Sequence, residues 1–121
     1  NSLLKSLFKV GLMENNLTEN EVEGYKRPLR NGKTQGMYYF FSQTCNALPD
    51  YSYTIESSTI DAIVIWGKHD EMLQWDPQKK KVIESLNILD EDVHLIDAKH
   101  FIQEEEPELI NSLIIDFLKT G

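Results

Sequence analysis

Two short β-branched segments, each followed by a helical pattern, constrain the fold of this chain more than any other feature. Residues 60–66 (Ile-Asp-Ala-Ile-Val-Ile-Trp) show little alternation of apolar and polar side chains, which is typical of a strand covered on both faces in a parallel sheet. Residues 93–97 predict a second strand, and amphipathic helical patterns follow the strands over 76–87 and 107–120. This order predicts right-handed, parallel βα units. Two strands are too few for a sheet with both faces covered, so we expect further strands to come from elsewhere.

The first 56 residues show a different pattern, in which helical spacing dominates. Leucine and phenylalanine side chains recur at this spacing over residues 2–13 and predict one apolar helix face. Residues 18–21 (Thr-Glu-Asn-Glu) form a capping-box pattern that begins a second helix, and Pro28 is expected to stop it. The sequence therefore divides into a helical segment, residues 1–56, and an α/β segment, residues 57–121.

A third helix is predicted over residues 34–45, and it is rich in aromatic side chains. It contains the consecutive run Met37, Tyr38, Tyr39, Phe40 and Phe41. Because these side chains cannot all point one way, we expect the helix to be buried on more than one side. Small molecules usually bind in apolar pockets, so we also expect Tyr38 and Phe41 to line a substrate pocket. Residues 46–58, which include Pro49 and several serines, predict a connecting loop.

Charge and composition disfavour several classes of function. Twelve basic and twenty acidic residues give a net charge of -8, which disfavours binding to nucleic acid and to anionic membrane surfaces. No apolar run reaches the roughly 18 residues that a membrane span needs. The single cysteine, Cys45, cannot form an internal disulfide, so a cytoplasmic protein is expected. We expect no cofactor and no metal, since His94 has no metal-ligand spacing nearby. The acidic run at 104–106 precedes the last helix, where the helix dipole favours negative charge.

Two residues suited to acid and base chemistry follow the predicted strands. Asp70 lies four residues after the first strand, and His100 lies three residues after the second. Functional residues gather beyond the carboxyl ends of parallel strands, which are about 4.8 Å apart, so these side chains can come within hydrogen-bonding distance. A carboxylate that accepts a hydrogen bond from one ring nitrogen leaves the other free to take a proton. The alternative is a surface histidine and a turn aspartate, and His69 is interpreted as a turn residue.

The residues around Asp70 and His100 resemble two segments of the α/β-hydrolase superfamily. Residues 63–70 (Ile-Val-Ile-Trp-Gly-Lys-His-Asp) are similar to the strand and turn that carry the acid of the catalytic triad in that family. Residues 100–108 (His-Phe-Ile-Gln-Glu-Glu-Glu-Pro-Glu) are similar to the loop that carries its histidine, most of all in epoxide hydrolases, haloalkane dehalogenases and related esterases. The resemblance implies that Asp70 orients His100, that His100 is the general base, and that Phe101 lines the substrate pocket.

The resemblance also implies a fold for the whole chain. It covers residues 57–120, which would form the C-terminal part of an α/β-hydrolase core with parallel strands and flanking helices. Residues 17–21 and 25–28 look like part of the helical cap that these enzymes insert over the active site. Residues 1–56 would then be a cap, or lid, segment with its connection to the core.

The chain departs from the family because it lacks a nucleophile. It contains no Gly-x-Ser-x-Gly motif, no equivalent with aspartate at its centre, and no His-Gly type oxyanion segment. In the family these elements precede the cap, so we expect the chain to be a fragment of a longer protein and to be inactive alone. Its exposed sheet edge is expected to pair with the N-terminal half of the same protein, or with a second copy of the chain.

The sequence leaves two kinds of function open. The first is a hydrolase that acts on a small apolar substrate through a covalent intermediate. A serine nucleophile would imply an ester, whereas an aspartate would imply an epoxide or an alkyl halide, with His100 activating the water that releases the product. The second is a non-catalytic relative used for ligand binding or protein interaction, since a fold does not guarantee activity. The presence of both Asp70 and His100 favours the first.

Overall fold

A computed structural model describes residues 2–14, 17–30, 34–44 and 51–120. The helices and strands of these residues are α1 (Ser2–Gly11), α2 (Glu19–Lys26), α3 (Thr34–Thr44), α4 (Ser52–Glu56), β1 (Val64–Gly67), α5 (Trp75–Leu86), β2 (Val93–Ile96), α6 (Ile102–Glu105) and α7 (Pro107–Thr120). The chain forms two compact units: unit 1 combines residues 1–15 with 52–121, and unit 2 is residues 16–51. The predicted assignment of residues 1–56 to a cap stays a prediction.

Unit 1 has a mixed α/β architecture around a two-stranded sheet. Strands β1 and β2 are parallel, with Val64 opposite Val93 and Gly67 opposite Ile96. Helix α5 connects the strands, as expected for a βα crossover, because parallel strands cannot be joined by a hairpin. The parallel α/β class predicted from the sequence is therefore confirmed for the described residues.

One buried hydrophobic cluster of unit 1 lies between β1 and α5. Val64, Trp75 and Ile88 are buried together, and partly buried residues pack around them: Ala62, Trp66, Val82, Ile83, Leu86 and Val93. The Trp66 and Trp75 rings lie 5.3 Å apart, and the Trp66 indole donates a hydrogen bond of 2.9 Å to the Leu73 carbonyl. The predicted apolar stripe of α5 is thus confirmed. A short left-handed turn at Asn87, with φ of 51°, ends the helix and turns the chain toward β2.

The first strand is shorter than its sequence pattern predicts. The β-branched run begins at residue 60, but strand pairing begins only at Val64. Strand β2 starts at Val93, directly after a 3₁₀ turn at Asp90–Asp92, so residues before Val64 have no described strand opposite them. The paired length of the sheet depends on where β2 begins. The apolar pattern of the first strand alone does not contain this information.

Unit 2 contains α2, a following 3₁₀ turn (Arg27–Leu29) and α3. The predicted capping box is confirmed: Thr18 accepts from the Glu21 amide at 3.3 Å, and the Glu21 carboxylate accepts from the Thr18 amide at 2.6 Å. The predicted stop at Pro28 is also confirmed, since the α-helix ends at Lys26 and Pro28 lies in the 3₁₀ turn.

The predicted burial of α3 on more than one side is wrong. Its described aromatic side chains are all largely exposed: Tyr38, Tyr39, Phe40 and Phe41. The physical reason lies in the composition of unit 2, because α2 (Glu-Asn-Glu-Val-Glu-Gly-Tyr-Lys) offers little apolar surface to cover four rings. Phe40 and Phe41 contact each other edge to face at 5.6 Å.

The predicted loop over residues 46–58 is also corrected. Helix α4 (Ser52–Glu56) occupies its second half and packs against α5. The interpretation of residues 46–50 lies outside the described part of the chain. Among the described residues, no helix is long and apolar enough to cross a membrane.

Candidate active site

The carboxyl ends of β1 and β2 meet at one edge of the sheet, where their loops are bonded through the backbone. The Lys68 amide donates to the Ile96 carbonyl at 2.9 Å, and the His69 amide donates to the Ala98 carbonyl at 3.0 Å. A Cβ atom at Gly67 would overlap the backbone of Lys99 and lie 2.7 Å from the Ala98 oxygen. Only glycine permits this close approach of the two loops.

Asp70 is fixed by the backbone of its own turn. Its Oδ1 accepts hydrogen bonds from the amides of Met72 and Leu73, each at 2.8 Å. Burial favours a higher pKa for Asp70, but the bonds from Leu73, His100 and Met72 and the charge of His100 together lower the pKa below its usual value. The side chain is therefore a buried carboxylate that accepts hydrogen bonds.

His100 lies directly against this carboxylate. Its Nδ1 is 2.8 Å from Oδ2 of Asp70, so the two oxygens of Asp70 have separate tasks, one toward the backbone and one toward the imidazole. An ionised carboxylate can only accept, so Nδ1 carries a proton and, in the neutral ring, Nε2 presents its lone pair. No described residue hydrogen-bonds to Nε2. The pairing of Asp70 with His100, predicted from the strand ends, is present in the structure.

Phe101 lies beside the histidine and against α1. Its ring centroid is 5.2 Å from that of His100 and 5.6 Å from that of Phe8, and its amide donates to the Gly11 carbonyl at 3.0 Å. A Cβ atom at Gly11 would overlap the Phe101 ring. Phe101 is thus partly buried next to the imidazole, while its role in lining a substrate pocket stays a prediction.

A second histidine and aspartate pair lies at the same sheet edge. Nε2 of His69 is 2.7 Å from Oδ1 of Asp97, which joins the two loops a second time. The interpretation of His69 as a turn residue missed this contact, because the sequence alone does not show which residues of the second loop face the first. His69 contacts Asp97, whereas the neighbouring Asp70 contacts His100. The two adjacent side chains therefore point in different directions.

A polar cavity of about 550 Å³ opens next to Asp70 on the side of α5. Its lining residues are Lys68, His69, Asp70, Glu71, Gln74, Trp75, Asp76 and Leu95. Neither His100 nor Phe101 belongs to this lining, so the cavity is distinct from the apolar pocket predicted around Phe101. Its charged walls suit water and polar solutes better than an apolar substrate.

The remaining predicted site residues lie elsewhere. Tyr38 and Phe41 belong to unit 2 and are exposed there, and their role in a substrate pocket stays a prediction. His94 lies in β2 opposite Ile65. Cys45 falls outside the described residues. Within the described ranges, no group of three or more metal-ligating side chains is found.

Sequence reasoning also missed a carboxylate that touches the histidine loop from α6. Glu105 accepts a hydrogen bond of 2.7 Å from the Lys99 amide, one residue before His100. Its position in an acidic run before a helix gives no local signal of this contact.

A comparison with known proteins found no family model, no curated relative and no solved structure that matches the chain. The interpretation of the site therefore depends on its geometry and on the residues that form it.

Proposed function

We propose that this chain supplies the acid and the base of a hydrolase catalytic triad, with Asp70 as the orienting acid and His100 as the general base. One observation carries the proposal: a buried carboxylate and a half-buried imidazole are 2.8 Å apart beyond the carboxyl ends of two parallel strands. This is the position at which parallel α/β sheets gather catalytic side chains.

The chemistry follows from the protonation of the pair. Asp70 holds the proton on Nδ1 of His100, and Nε2 then takes a proton from a serine nucleophile or from the water that attacks an ester intermediate. The imidazolium formed in this step is stabilised by the negative charge of Asp70. The substrate class is a small apolar ester, epoxide or alkyl halide, and no cofactor takes part.

The nucleophile in this proposal belongs to a polypeptide segment that precedes Asn1. Support comes from the sequence, in which no serine or aspartate lies in a nucleophile-elbow motif. The same segment would add strands to the sheet of β1 and β2 and complete an α/β-hydrolase core. The N-terminal half of the same protein, or a second copy of the chain, is accordingly the proposed polypeptide partner. The proposed location is the cytoplasm, because the lone cysteine makes an oxidising compartment unnecessary.

The first test is the coding sequence upstream of Asn1. We expect an oxyanion segment and a nucleophile elbow there, in that order. If that region encodes neither, the catalytic proposal is contradicted and a non-catalytic binding protein becomes the better explanation.

The second test uses the protein that carries the nucleophile and compares His100→Ala with His69→Ala by mass spectrometry after exposure to candidate substrates. With an aspartate nucleophile, His100→Ala should form the covalent adduct and then stall, since a carboxylate needs no deprotonation to attack. With a serine nucleophile, His100→Ala should hardly react. His69→Ala is the matched control and should turn over like the unmodified protein; a fully active His100→Ala variant would refute the proposal.

A further inference from the structure

The Glu105 carboxylate joins the loop that carries His100 to the end of α1. One oxygen, Oε2, accepts from the Lys99 amide at 2.7 Å, and the other, Oε1, accepts from the Met13 amide. The side chain is half-buried between the two segments. A single carboxylate therefore satisfies two backbone donors that lie 86 residues apart in the sequence (99 minus 13).

The same two segments are joined on the other side of His100 as well. The Phe101 amide donates to the Gly11 carbonyl at 3.0 Å, and the Phe101 ring packs on Phe8. The backbone on both flanks of His100 is thus hydrogen-bonded, through Glu105 before it and through Gly11 after it. Helix α6, which begins directly after Phe101, brings Glu105 back to residue 99.

The helix dipole does not explain the hydrogen bonds of Glu105 to the Lys99 and Met13 amides. Favourable interaction with a helix dipole needs only a negative charge near the N-terminus, and it does not require a hydrogen bond to another segment. Glu105 instead bonds amides outside its helix, and both of them belong to segments that touch His100 or Phe101. We infer that Glu105 is a positioning residue for His100, acting through the Lys99 amide and the end of α1; the inference rests on the proposed role of His100 as a base.

The inference requires a carboxylate at this position. Each oxygen accepts from a different amide, and a glutamine side chain has only one accepting atom, because its nitrogen donates. Glu105→Gln must therefore turn a donor toward either Lys99 or Met13 and lose that bond, although its shape hardly changes. A catalytic base held less firmly spends less time in the geometry that the reaction needs.

Hydrogen exchange of backbone amides tests the positioning role without any substrate. In Glu105→Gln, whichever of the Lys99 and Met13 amides loses its acceptor should exchange about tenfold faster, as expected for local opening after the loss of one charge-assisted hydrogen bond, and the Phe101 amide should also exchange faster. The Lys68 amide, which is bonded to Ile96 within the sheet edge, is the internal reference and should exchange as before. Glu108→Gln is the matched control, because it removes an equal charge from an exposed position in the first turn of α7.

The imidazole itself gives the second readout. In nitrogen-15 spectra of the unmodified chain, His100 should show a protonated Nδ1, and Glu105→Gln should broaden this signal while Glu108→Gln leaves it sharp. In the protein that carries the nucleophile, Glu105→Gln should lower kcat about tenfold with little change in KM. If Glu105→Gln does not fold, Glu105→Asp keeps the charge but shortens the reach, and the same changes are expected.

The outcomes separate this inference from the proposed function. Unchanged exchange at Lys99, Met13 and Phe101 together with an unchanged His100 signal would overturn the positioning role. If those signals change as expected but the unmodified protein with its nucleophile turns over no ester, epoxide or alkyl halide, then Glu105 positions His100 and the proposed hydrolase activity is wrong.

Discussion

Two histidine and aspartate pairs lie at one edge of the same sheet. They differ far more in the burial of their side chains than in the distance between the imidazole nitrogen and the carboxylate oxygen. The His100 and Asp70 atoms are 2.8 Å apart, and those of His69 and Asp97 are 2.7 Å apart. The side chains of the first pair are 27% and 6% exposed, whereas those of the second are 46% and 76% exposed. Distance alone would rank the two pairs as equal candidates for catalysis.

The aspartates differ in what holds them. Asp70 is bonded by two backbone amides in addition to the imidazole, so its orientation is set before any substrate arrives. Asp97 is bonded through its side chain to His69 and is otherwise open to water. Exposed ion pairs are screened and gain little from their contact, whereas a fixed, desolvated carboxylate orients its partner firmly. Preorganisation therefore separates a candidate catalytic pair from a surface contact.

The largest difference is expected when each aspartate is replaced by asparagine in the protein that carries the nucleophile. In Asp70→Asn, the new amide can keep its oxygen on the amides of Met72 and Leu73 only by turning its NH₂ group toward Nδ1 of the histidine. Nδ1 must then accept, the proton moves to Nε2, and the base is lost. Asp70→Asn should therefore lower kcat about 10⁴-fold, the size of the loss seen when a triad aspartate is changed in this way in serine proteases.

Asp97→Asn is the matched control for that measurement. The same atoms change at the same edge, but the pair is exposed, so kcat should stay within about twofold of the unmodified protein. Equal losses from the two substitutions, measured by steady-state kinetics, would contradict the distinction between the pairs.

Gly67→Ala should affect both pairs at once, since this glycine lets the two loops meet. The new methyl group would overlap the Lys99 backbone, which cannot yield as a flexible side chain can. We expect a loss of about 3 kcal/mol in the free energy of unfolding, measured by denaturant titration of Trp66 and Trp75 fluorescence. Gly24→Ala is the control, because no atom beyond its chain neighbours and its own helix backbone lies within 4 Å of the new methyl group, and alanine favours the helix. A Gly67→Ala protein as stable as the unmodified one would refute the close approach.

Much of this edge could be predicted from the sequence, and the rest could not for identifiable reasons. The strand-ending positions of Asp70 and His100 depend on local patterns and on the common geometry of parallel strands, so their meeting was predictable. The contacts of Glu105 with Met13 and of His69 with Asp97 depend on how distant segments pack, for which one sequence holds no local signal. The predicted burial of α3 is wrong because a run of consecutive aromatic residues shows how many apolar side chains a helix carries, but it does not show whether a neighbouring surface covers them.

Lowering the pH should reduce the unfolding free energy through the buried Asp70 and through the exposed capping residue Glu21 to different extents. The pKa of Asp70 is lowered in the folded chain, since the bonds from Leu73, His100 and Met72 outweigh its burial, and hydrogen bonds to Thr18 lower the pKa of Glu21. A folded pKa below the unfolded one means that the carboxylate adds stability above its unfolded pKa, about 4, and that this stability disappears as pH falls through the folded value.

The measurement is the unfolding free energy as a function of pH, followed through the tryptophans of unit 1. Asp70→Asn should flatten the decline below about pH 4, because the titrating group is gone. Glu21→Gln is the comparison: Glu21 is exposed and lies in unit 2, so it should change this unit 1 signal less. A decline in acid that is as steep in Asp70→Asn as in the unmodified chain would show that Asp70 does not contribute to acid sensitivity.

The smallest effect is expected from His69→Ala. Its partner Asp97 is mostly exposed, so water replaces the lost contact and the unfolding free energy should fall by less than about 1 kcal/mol. The Coulombic part of this contact should be screened in about 1 M salt, where the screening length is about 3 Å. His100→Ala should cost more and should keep its cost in salt, because it removes the imidazole from the buried Asp70 oxygen and from the Phe101 ring. If the two alanine variants are equally destabilised at low and at high salt, burial does not distinguish the two pairs. That result would contradict the physical argument for His100 as the base.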